Sequence, residues 1–305
     1  MNNKSYNTAL VIGMGLIGSS VARVIKQKKV AEKIFAIDNN QITINLTKDL
    51  KLVDDIYSSL ENTSDQFDLI FICTPLSSYK SIFRKLNTFV KEPTLITDVG
   101  STKVSVINDF KSLIDNDNIS FLPAHPIAGL EKSGPQHGFA EIFDNRYCII
   151  TPINSNDEFI DSISSIWKSF GMTVEIMDAE RHDRVLAMTS HIPQLIAYSV
   201  VGTATDLETQ MKDEVIKYSA AGFRDFTRLA GSDPVMWRDV YEKNKEAVLE
   251  MLGRFSEDLL TYQKAIRNND LKFLENKFSK SKEIRKIIEE IGQAGTFDPT
   301  EKTKK

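Results

Sequence analysis

The sequence predicts an α/β fold: an N-terminal Rossmann-type, doubly wound, mostly parallel sheet, followed by an all-α C-terminal domain. Short apolar runs alternate with helical patterns along the first half, which favours parallel strands joined by helical crossovers. A glycine-rich turn follows the first apolar run, and strand-like runs stop after Met177. We therefore predict two domains in the 305-residue chain, 1–177 and 178–305.

The individual elements follow from apolar runs and from helical periodicity. The predicted strands are Thr8–Ile12, Lys33–Ile37, Asp68–Cys73, Leu95–Val99, Ile119–Leu122, Tyr147–Thr151 and Thr173–Met177. The helices predicted in the first domain are Leu16–Lys26, Val104–Ile114 and Asp157–Phe170. The helices predicted in the second domain are Ala179–Val201, Thr209–Ala221, Pro234–Arg267 and Leu271–Ile291.

Proline positions and apolar spacing add detail to the helical domain. Asp233-Pro234 is a helix-start signal, and Pro193 should kink its helix or end the first part of it. In the longest predicted helix an apolar residue recurs at alternating spacings of four and three: Val248, Leu252, Phe255, Leu259, Tyr262 and Ile266. Such a stripe packs against another helix, either in the core of the domain or at the interface of a homodimer.

Composition narrows the class of protein. The formal net charge of −4 does not suggest a partner among nucleic acids, whose binding domains are usually basic. The two cysteines, Cys73 and Cys148, lie in apolar runs and form no disulfide framework, which fits a reducing cytoplasm. We find no apolar run of about 18 residues and expect no membrane span. The sequence indicates a cytoplasmic globular protein.

A dinucleotide-binding fingerprint opens the chain. Gly13-Met14-Gly15-Leu16-Ile17-Gly18 lies between the first predicted strand and the first predicted helix. The glycines of such a turn permit a tight bend, close approach of a pyrophosphate and close helix packing, and the helix N-terminus attracts phosphate. Asp38 ends the second strand, where a carboxylate accepts hydrogen bonds from a ribose hydroxyl. Because no arginine follows it, we expect NAD rather than NADP.

Three further strand ends should meet at the same edge of the sheet. Thr74-Pro75 follows one strand and is expected on the adenosine side of the cofactor, although a simple strand-ending proline explains it equally well. Ser101 and His125 follow two other strands. An imidazole facing a nicotinamide suggests removal of a proton from an alcohol as a hydride leaves its carbon. Ser101 could orient that imidazole or contact the nicotinamide, or it could cap a helix.

The helical domain supplies a candidate anion site. Arg224 and Arg228 are four residues apart, so on a helix they share a face that suits a carboxylate-rich substrate. A solvated face with an internal pair to Asp225 is the alternative. His191 either enters a cleft beside Pro193 or is a core histidine. No group of residues has metal-site spacing.

The chain resembles the prephenate/arogenate (cyclohexadienyl) dehydrogenases of tyrosine biosynthesis. The resemblance runs from Gly13 to about Gly292 and rests on these segments: the glycine turn, Gly100-Ser101-Thr102-Lys103, His125-Pro126-Ile127-Ala128-Gly129 with Glu131 and Ser133-Gly134, His191-Ile192-Pro193, and Gly222 to Trp237. It implies NAD-dependent oxidative decarboxylation of prephenate, arogenate or both, to 4-hydroxyphenylpyruvate or tyrosine. Gln194 stands where some relatives carry a second histidine, so the preferred substrate stays open.

The resemblance also implies residue roles. His125 would accept the proton of the ring hydroxyl, and Ser101 would orient His125 and the nicotinamide. The implied substrate-binding residues are Arg228 on a carboxylate, Arg224 as nearby positive charge, Glu131 and Asp225 as acidic partners at the pocket mouth, Trp237 as a residue that closes the pocket, and His191 as a lining residue. Two alternatives remain: another Rossmann-plus-helical dehydrogenase acting on a hydroxy acid, and a non-catalytic NAD-binding sensor.

Overall fold

A computed structural model describes residues 6–153, 157–206, 214 and 217–290. The strands are β1 (Tyr6–Ile12), β2 (Ala31–Ile37), β3 (Asp55–Tyr57), β4 (Leu69–Ile72), β5 (Thr94–Asp98), β6 (Ile119–Leu122), β7 (Ala124–Pro126), β8 (Tyr147–Ile150) and β9 (Thr173–Ile176). The helices are α1 (Leu16–Lys28), α2 (Gln41–Asp49), α3 (Tyr79–Phe89), α4 (Val104–Leu113), α5 (Asp157–Ser169), α6 (Ala179–Leu186), α7 (Ile192–Thr205), α8 (Ala221–Thr227), α9 (Pro234–Lys243), α10 (Lys245–Arg267) and α11 (Leu271–Glu290).

The main sheet has six parallel strands in the order β3-β2-β1-β4-β5-β6. This is the order of a doubly wound dinucleotide-binding fold. Apolar layers cover both faces: Val21 of α1 and Trp167 of α5 lie in one core cluster, and Phe83 of α3 and Val106 of α4 lie in the other. The predicted fold class, a Rossmann-type sheet followed by helices, is confirmed.

A second sheet of three strands has the order β7-β8-β9. Strand β7 pairs antiparallel with β8, and β8 pairs parallel with β9. His125 therefore lies on its own short strand, opposite Ile149, and does not simply end β6. The sequence did not predict β7, because Pro123 and Pro126 bracket a run too short for a strand pattern.

Three element predictions need correction or lie outside the described residues. The predicted helix Pro234–Arg267 breaks at Asn244, whose side chain bonds to the segments that carry Asp183 and His191. The helix containing Pro193 continues through a π-helical turn, Ala187–His191, because proline cannot donate the usual backbone hydrogen bond. Most of the predicted helix Thr209–Ala221 lies outside the described residues.

The chain forms two compact units, Met1–Val248 and Leu249–Lys305. In the second unit Tyr262 of α10 stacks on Phe278 of α11, with ring centroids 6.0 Å apart. The helices of this unit also carry exposed apolar side chains, which include Leu259, Leu260, Ile266, Leu271, Phe278, Ile284 and Ile287. The domain boundary predicted after residue 177 is a different partition and stays a prediction.

One stretch of the described residues, Ala179–Thr205, is long and apolar enough to cross a membrane by length and composition alone. From the sequence we expected no membrane span and did not identify this stretch. The same stretch buries His182, Asp183, His191 and Gln194, and their side chains hydrogen bond to neighbouring segments. A core helix of a globular protein has these properties, so the stretch is weak support for a membrane span.

Candidate active site

The glycine turn has the geometry that a dinucleotide requires. Gly13 has φ +95°, and a Cβ on Gly18 would lie 1.8 Å from the Gly13 carbonyl oxygen, so α1 packs directly on the turn. A Cβ on Gly15 would meet nothing within 4 Å, which leaves space beside the N-terminus of α1. Leu16 and Ile17 form the first turn of that helix. The turn therefore offers free N–H groups and space for a pyrophosphate.

Asp38 lies at the end of β2, next to this turn. Its carboxylate accepts hydrogen bonds from the Met14 N–H at 2.8 Å and the Asn40 N–H at 2.9 Å. Thr74 follows β4, lies against Gly13, and has a buried hydroxyl without a hydrogen-bond partner in the described structure. An acidic group and an unpaired hydroxyl beside an open glycine turn fit an NAD site.

His125 is the end of a buried chain of hydrogen bonds. Its Nδ1 lies 2.8 Å from Nε2 of His182, and Nδ1 of His182 lies 2.8 Å from Oδ1 of Asp183. Because an ionised carboxylate only accepts hydrogen bonds, His182 carries its proton on Nδ1. Its Nε2 then accepts from the His125 Nδ1–H. This assignment leaves Nε2 of His125 with a lone pair.

Asp183 also fixes the start of α4. Its two carboxylate oxygens accept hydrogen bonds from the Lys103 N–H at 2.7 Å and the Val104 N–H at 3.0 Å. This is an N-cap supplied by a distant residue, and a carboxylate there is favoured by the helix dipole. Ser101 therefore does not cap α4.

A second buried pair, Lys103 and Asp98, hydrogen bonds to the residue before His125. Lys103 Nζ donates to Asp98 Oδ2 at 2.6 Å and to the carbonyl of Ala124 at 2.7 Å. Asp98 also accepts from the Ala124 N–H at 3.0 Å and from the Tyr79 hydroxyl at 2.9 Å. Both side chains of the pair are fully buried. The pair thus fixes the N–H and the carbonyl of Ala124, and with them the backbone position of His125.

Burial decides the protonation of these imidazoles. Desolvation holds the pKa of His125 well below its ordinary value, and the nearby His182, Lys103 and His191 lower it further. The pKa of His182 is also lowered by burial, but its hydrogen bond to Asp183 opposes the shift. His125 is consequently neutral at physiological pH and able to accept a proton.

Ser101 lies partly buried in the segment between β5 and α4. Among the described residues no hydrogen bond joins it to His125, whose Nδ1 is occupied by His182. Gly100 beside it allows close packing, because a Cβ there would lie 2.8 Å from Asp98 Oδ2. The predicted contacts of Ser101 with the imidazole and the nicotinamide stay predictions.

The two predicted arginines have different surroundings. Arg228 begins a 3₁₀ turn and forms an ion pair with Glu131, which comes from the loop after β7. Arg224 of α8 is largely exposed and lies 3.5 Å from the exposed carboxylate of its neighbour Asp225. The structure thus brings Arg228 and Glu131 together, whereas Arg224 and Asp225 form the surface pair that was the alternative interpretation.

His191 is a fully buried residue. Its Nδ1 lies 3.1 Å from the amide nitrogen of Asn244, which also donates to the carbonyl of Asp183 at 2.8 Å. Its ring meets Trp237 edge-on at 6.0 Å. His191 Nε2 and Trp237 Nε1 are buried without hydrogen-bond partners in the described residues. Burial lowers the pKa of His191 to about 4.

Sequence reasoning missed His182, Asp183 and Asn244. His182 was passed over because its sequence neighbours are polar, and it comes 57 positions after His125. The available signal was helical spacing: His182 and Asp183 lie between Ala179 and Leu186 on the buried face of α6, and buried polar residues require partners. Which imidazole and which carboxylate become partners is visible only in the folded chain.

The fold and this site define a class: a dehydrogenase that uses a nicotinamide dinucleotide and has a buried, neutral imidazole at the strand after β6. Two family profiles match the chain, the nucleotide-binding domain of prephenate dehydrogenase over residues 21–176 and its dimerization domain over residues 178–280. The chain is 35% identical to the cyclohexadienyl dehydrogenase of Zymomonas mobilis over 90% of its own length and 94% of that protein.

Solved structures agree. The prephenate dehydrogenase of A. aeolicus in complex with hydroxyphenyl propionate and NAD+ has a TM-score of 0.85 and 30% identity, over 93% of this chain and 98% of that one. The arogenate dehydrogenase of Synechocystis, at 22% identity, has a TM-score of 0.75 over 92% and 99% of the two chains and shares the fold.

This chain belongs to the prephenate dehydrogenase family. It is an oxidoreductase with NAD as its cofactor, as the sequence predicted.

Proposed function

We propose that this chain oxidatively decarboxylates prephenate, arogenate or both, with His125 as the base. The observation that carries this proposal is the hydrogen bond from His125 Nδ1 to His182, because it leaves the other ring nitrogen of a neutral imidazole free to accept a proton. That arrangement suits removal of a proton from the hydroxyl of a cyclohexadienol. A sensor that only binds NAD would not require it.

The reaction balances as follows. His125 takes the proton of the ring hydroxyl, and the carbon that bears this hydroxyl becomes a carbonyl carbon as it loses a hydride. Bound NAD supplies the hydride acceptor. The carbon–carbon bond to the ring carboxylate then breaks, and carbon dioxide leaves. The electron pair of that bond enters the ring and completes its aromatic system, the carbonyl π pair moves onto oxygen, and this oxygen takes the proton back from His125 to give the phenol. Aromatisation makes the step effectively irreversible.

Arg228 is the proposed partner of a substrate carboxylate. Its guanidinium already pairs with one carboxylate, that of Glu131, and more than half of its side chain is exposed. An incoming carboxylate can therefore replace Glu131 on the guanidinium in a bidentate pair. Arg224 and Asp225 contribute at most surface charge, while the buried His191 and the partly buried Trp237 line the site.

Polar groups around the turn that begins at Arg228 determine the preference between prephenate and arogenate. Gln194 is buried, and its amide nitrogen donates to the Leu229 carbonyl at 2.6 Å. This contact fixes the turn that carries Arg228. A glutamine here, instead of an imidazole, offers a neutral donor and acceptor to the side chain that distinguishes prephenate from arogenate.

We also propose that the chain acts as a cytoplasmic homodimer. The matched dimerization profile covers residues 178–280, and helices α10 and α11 carry exposed apolar side chains such as Leu259, Phe278 and Ile284. Burial of such a surface between two copies is favourable. Sedimentation of the full chain at several concentrations tests this; a monomer at every concentration contradicts it.

The first experiment is NADH formation with prephenate and, separately, with arogenate, for the native chain and for His125→Asn. We expect turnover with at least one substrate, and a loss of about 10²-fold or more in the variant, since a positioned base contributes roughly that much. NAD binding should persist. Absence of turnover with both substrates despite NAD binding would favour a hydroxy-acid dehydrogenase or a sensor.

A further inference from the structure

We propose that His182 is a second proton acceptor behind His125, so that the proton taken from the substrate is held on the His182–Asp183 pair. This inference rests on the proposed role of His125 as the base. The inference goes beyond that role because it gives a function to His182 and Asp183, which form no part of the predicted site. His182 acts through His125 and is a positioning and relay residue.

The geometry allows one direction of transfer. Oδ1 of Asp183 accepts from the backbone N–H of Lys103 and lies 2.8 Å from His182 Nδ1, so that nitrogen carries hydrogen. The remaining nitrogen of His182 faces Nδ1 of His125 at 2.8 Å. Both hydrogen bonds therefore run in the same direction: His125 donates to His182, and His182 donates to Asp183.

The step is a double proton transfer with no change in the number of bonds. A new N–H bond forms at His125 Nε2 as the substrate O–H bond breaks. The N–H bond at His125 Nδ1 breaks as a new one forms at His182 Nε2. His125 ends neutral, in its other tautomer, and His182 becomes an imidazolium beside the carboxylate of Asp183. When the ring becomes aromatic, the reverse transfer returns the proton through His125 to the ring oxygen of the product, because His182 is fully buried.

The charged groups around His182 favour a positive charge on this residue rather than on His125. Asp183 lies on its own helix, Asp98 faces it from the end of β5 and Lys103 from the segment that follows, and His125 faces it from β7. Lys103 is neutralised by its own pair with Asp98. For His125, the neighbours all oppose a positive charge, whereas the carboxylate of Asp183 supports one on His182.

A pair of amide substitutions separates relay from orientation. In His182→Gln the amide reaches the position of Nε2, so its oxygen can still accept from His125, but it cannot take a proton. In His182→Asn the amide reaches the position of Nδ1 and keeps only the contact to Asp183. His137→Gln is the matched control, since His137 is the one histidine of the four in the sequence that has no assigned role in the site, and it lies in the 3₁₀ turn Pro135–His137.

We expect both His182 variants to lose about tenfold or more in kcat with KM for NAD and substrate nearly unchanged, and the control to match the native chain. The acid limb of kcat/KM should move to lower pH in His182→Gln, because His125 alone lacks a carboxylate to support its charge. A His182→Gln variant with native kcat and a native acid limb would mean that His182 only orients His125, and would overturn the proposal.

A measurement without turnover keeps the proposal testable if these variants do not fold. In ¹⁵N-histidine spectra of the native chain during acid titration, the first proton taken up by the pair should convert His182 to an imidazolium while His125 stays neutral. Protonation of His125 first, with His182 still neutral, would refute the relay. If the native chain oxidises neither prephenate nor arogenate, the proposed function fails, and these spectra still decide the relay separately.

Discussion

Replacement of Lys103 by methionine should destabilise the fold strongly. Lys103 Nζ is fully buried and donates to Asp98 at 2.6 Å and to the Ala124 carbonyl at 2.7 Å. Methionine has a similar length and keeps the packing. It leaves the carboxylate of Asp98 buried without its countercharge and the Ala124 carbonyl without this donor.

The expected cost is about 3–5 kcal/mol, the usual result of removing one partner from a buried ion pair. The hydrogen bonds from Tyr79, Gly100 and Ala124 still support Asp98, which places the value toward the lower end. If Asp98 is also replaced by asparagine, the uncompensated charge disappears. The double variant should therefore be less destabilised than the sum of the single variants by about 1–3 kcal/mol.

Chemical denaturation at one fixed protein concentration measures these free energies, with Trp167 and Trp237 as fluorescent reporters. Lys111→Met is the control, because Lys111 is exposed on the same helix, α4, and should change stability by less than about 0.5 kcal/mol. A cost below about 1 kcal/mol for Lys103→Met, or strict additivity in the double variant, would refute the assignment of a charged buried pair.

Four substitutions test other parts of the site. Gly18→Ala should lower NAD affinity by about tenfold or more in calorimetry, because its Cβ would lie 1.8 Å from the Gly13 carbonyl oxygen; native affinity contradicts this. Asp38→Arg should shift the ratio of kcat/KM from NAD toward NADP, and an unchanged ratio contradicts the ribose contact. Arg228→Lys should raise KM for the substrate about tenfold or more while KM for NAD stays constant, since lysine cannot pair bidentately; equal rises in both would contradict it. The pKa of His191 is about 4 in the folded chain and about 6.5 in the unfolded chain. Between these pH values the unfolded chain binds more protons, so the free energy of unfolding increases with pH, by up to about 3 kcal/mol. His191→Asn should flatten this increase in denaturation curves measured at several pH values, and an unchanged slope contradicts the assignment.

Much of the architecture was accessible from local pattern. Apolar runs bounded by turns indicated five of the six strands of the main sheet, all except β3. The Gly13 to Gly18 turn with Asp38 indicated the dinucleotide site, because such patterns depend on neighbours within a few tens of residues. The strands β3 and β7 and the helices α2 and α3 were not predicted; each of the two strands has only three residues. A three-residue strand such as β7 takes its conformation from β8, which pairs with it across more than twenty residues.

Sequence patterns were thus sufficient to predict a dinucleotide-binding sheet followed by a helical C-terminal region, and to place His125 just after the strand Ile119–Leu122. The folded chain was needed to show that His125 bonds to His182, that Asp183 caps α4, and that Lys103 is a buried countercharge for Asp98. Periodicity records which residues are buried, whereas a hydrogen bond joins two particular atoms. That pairing depends on how the helix α6 packs on the end of the sheet, which no local pattern in the sequence encodes.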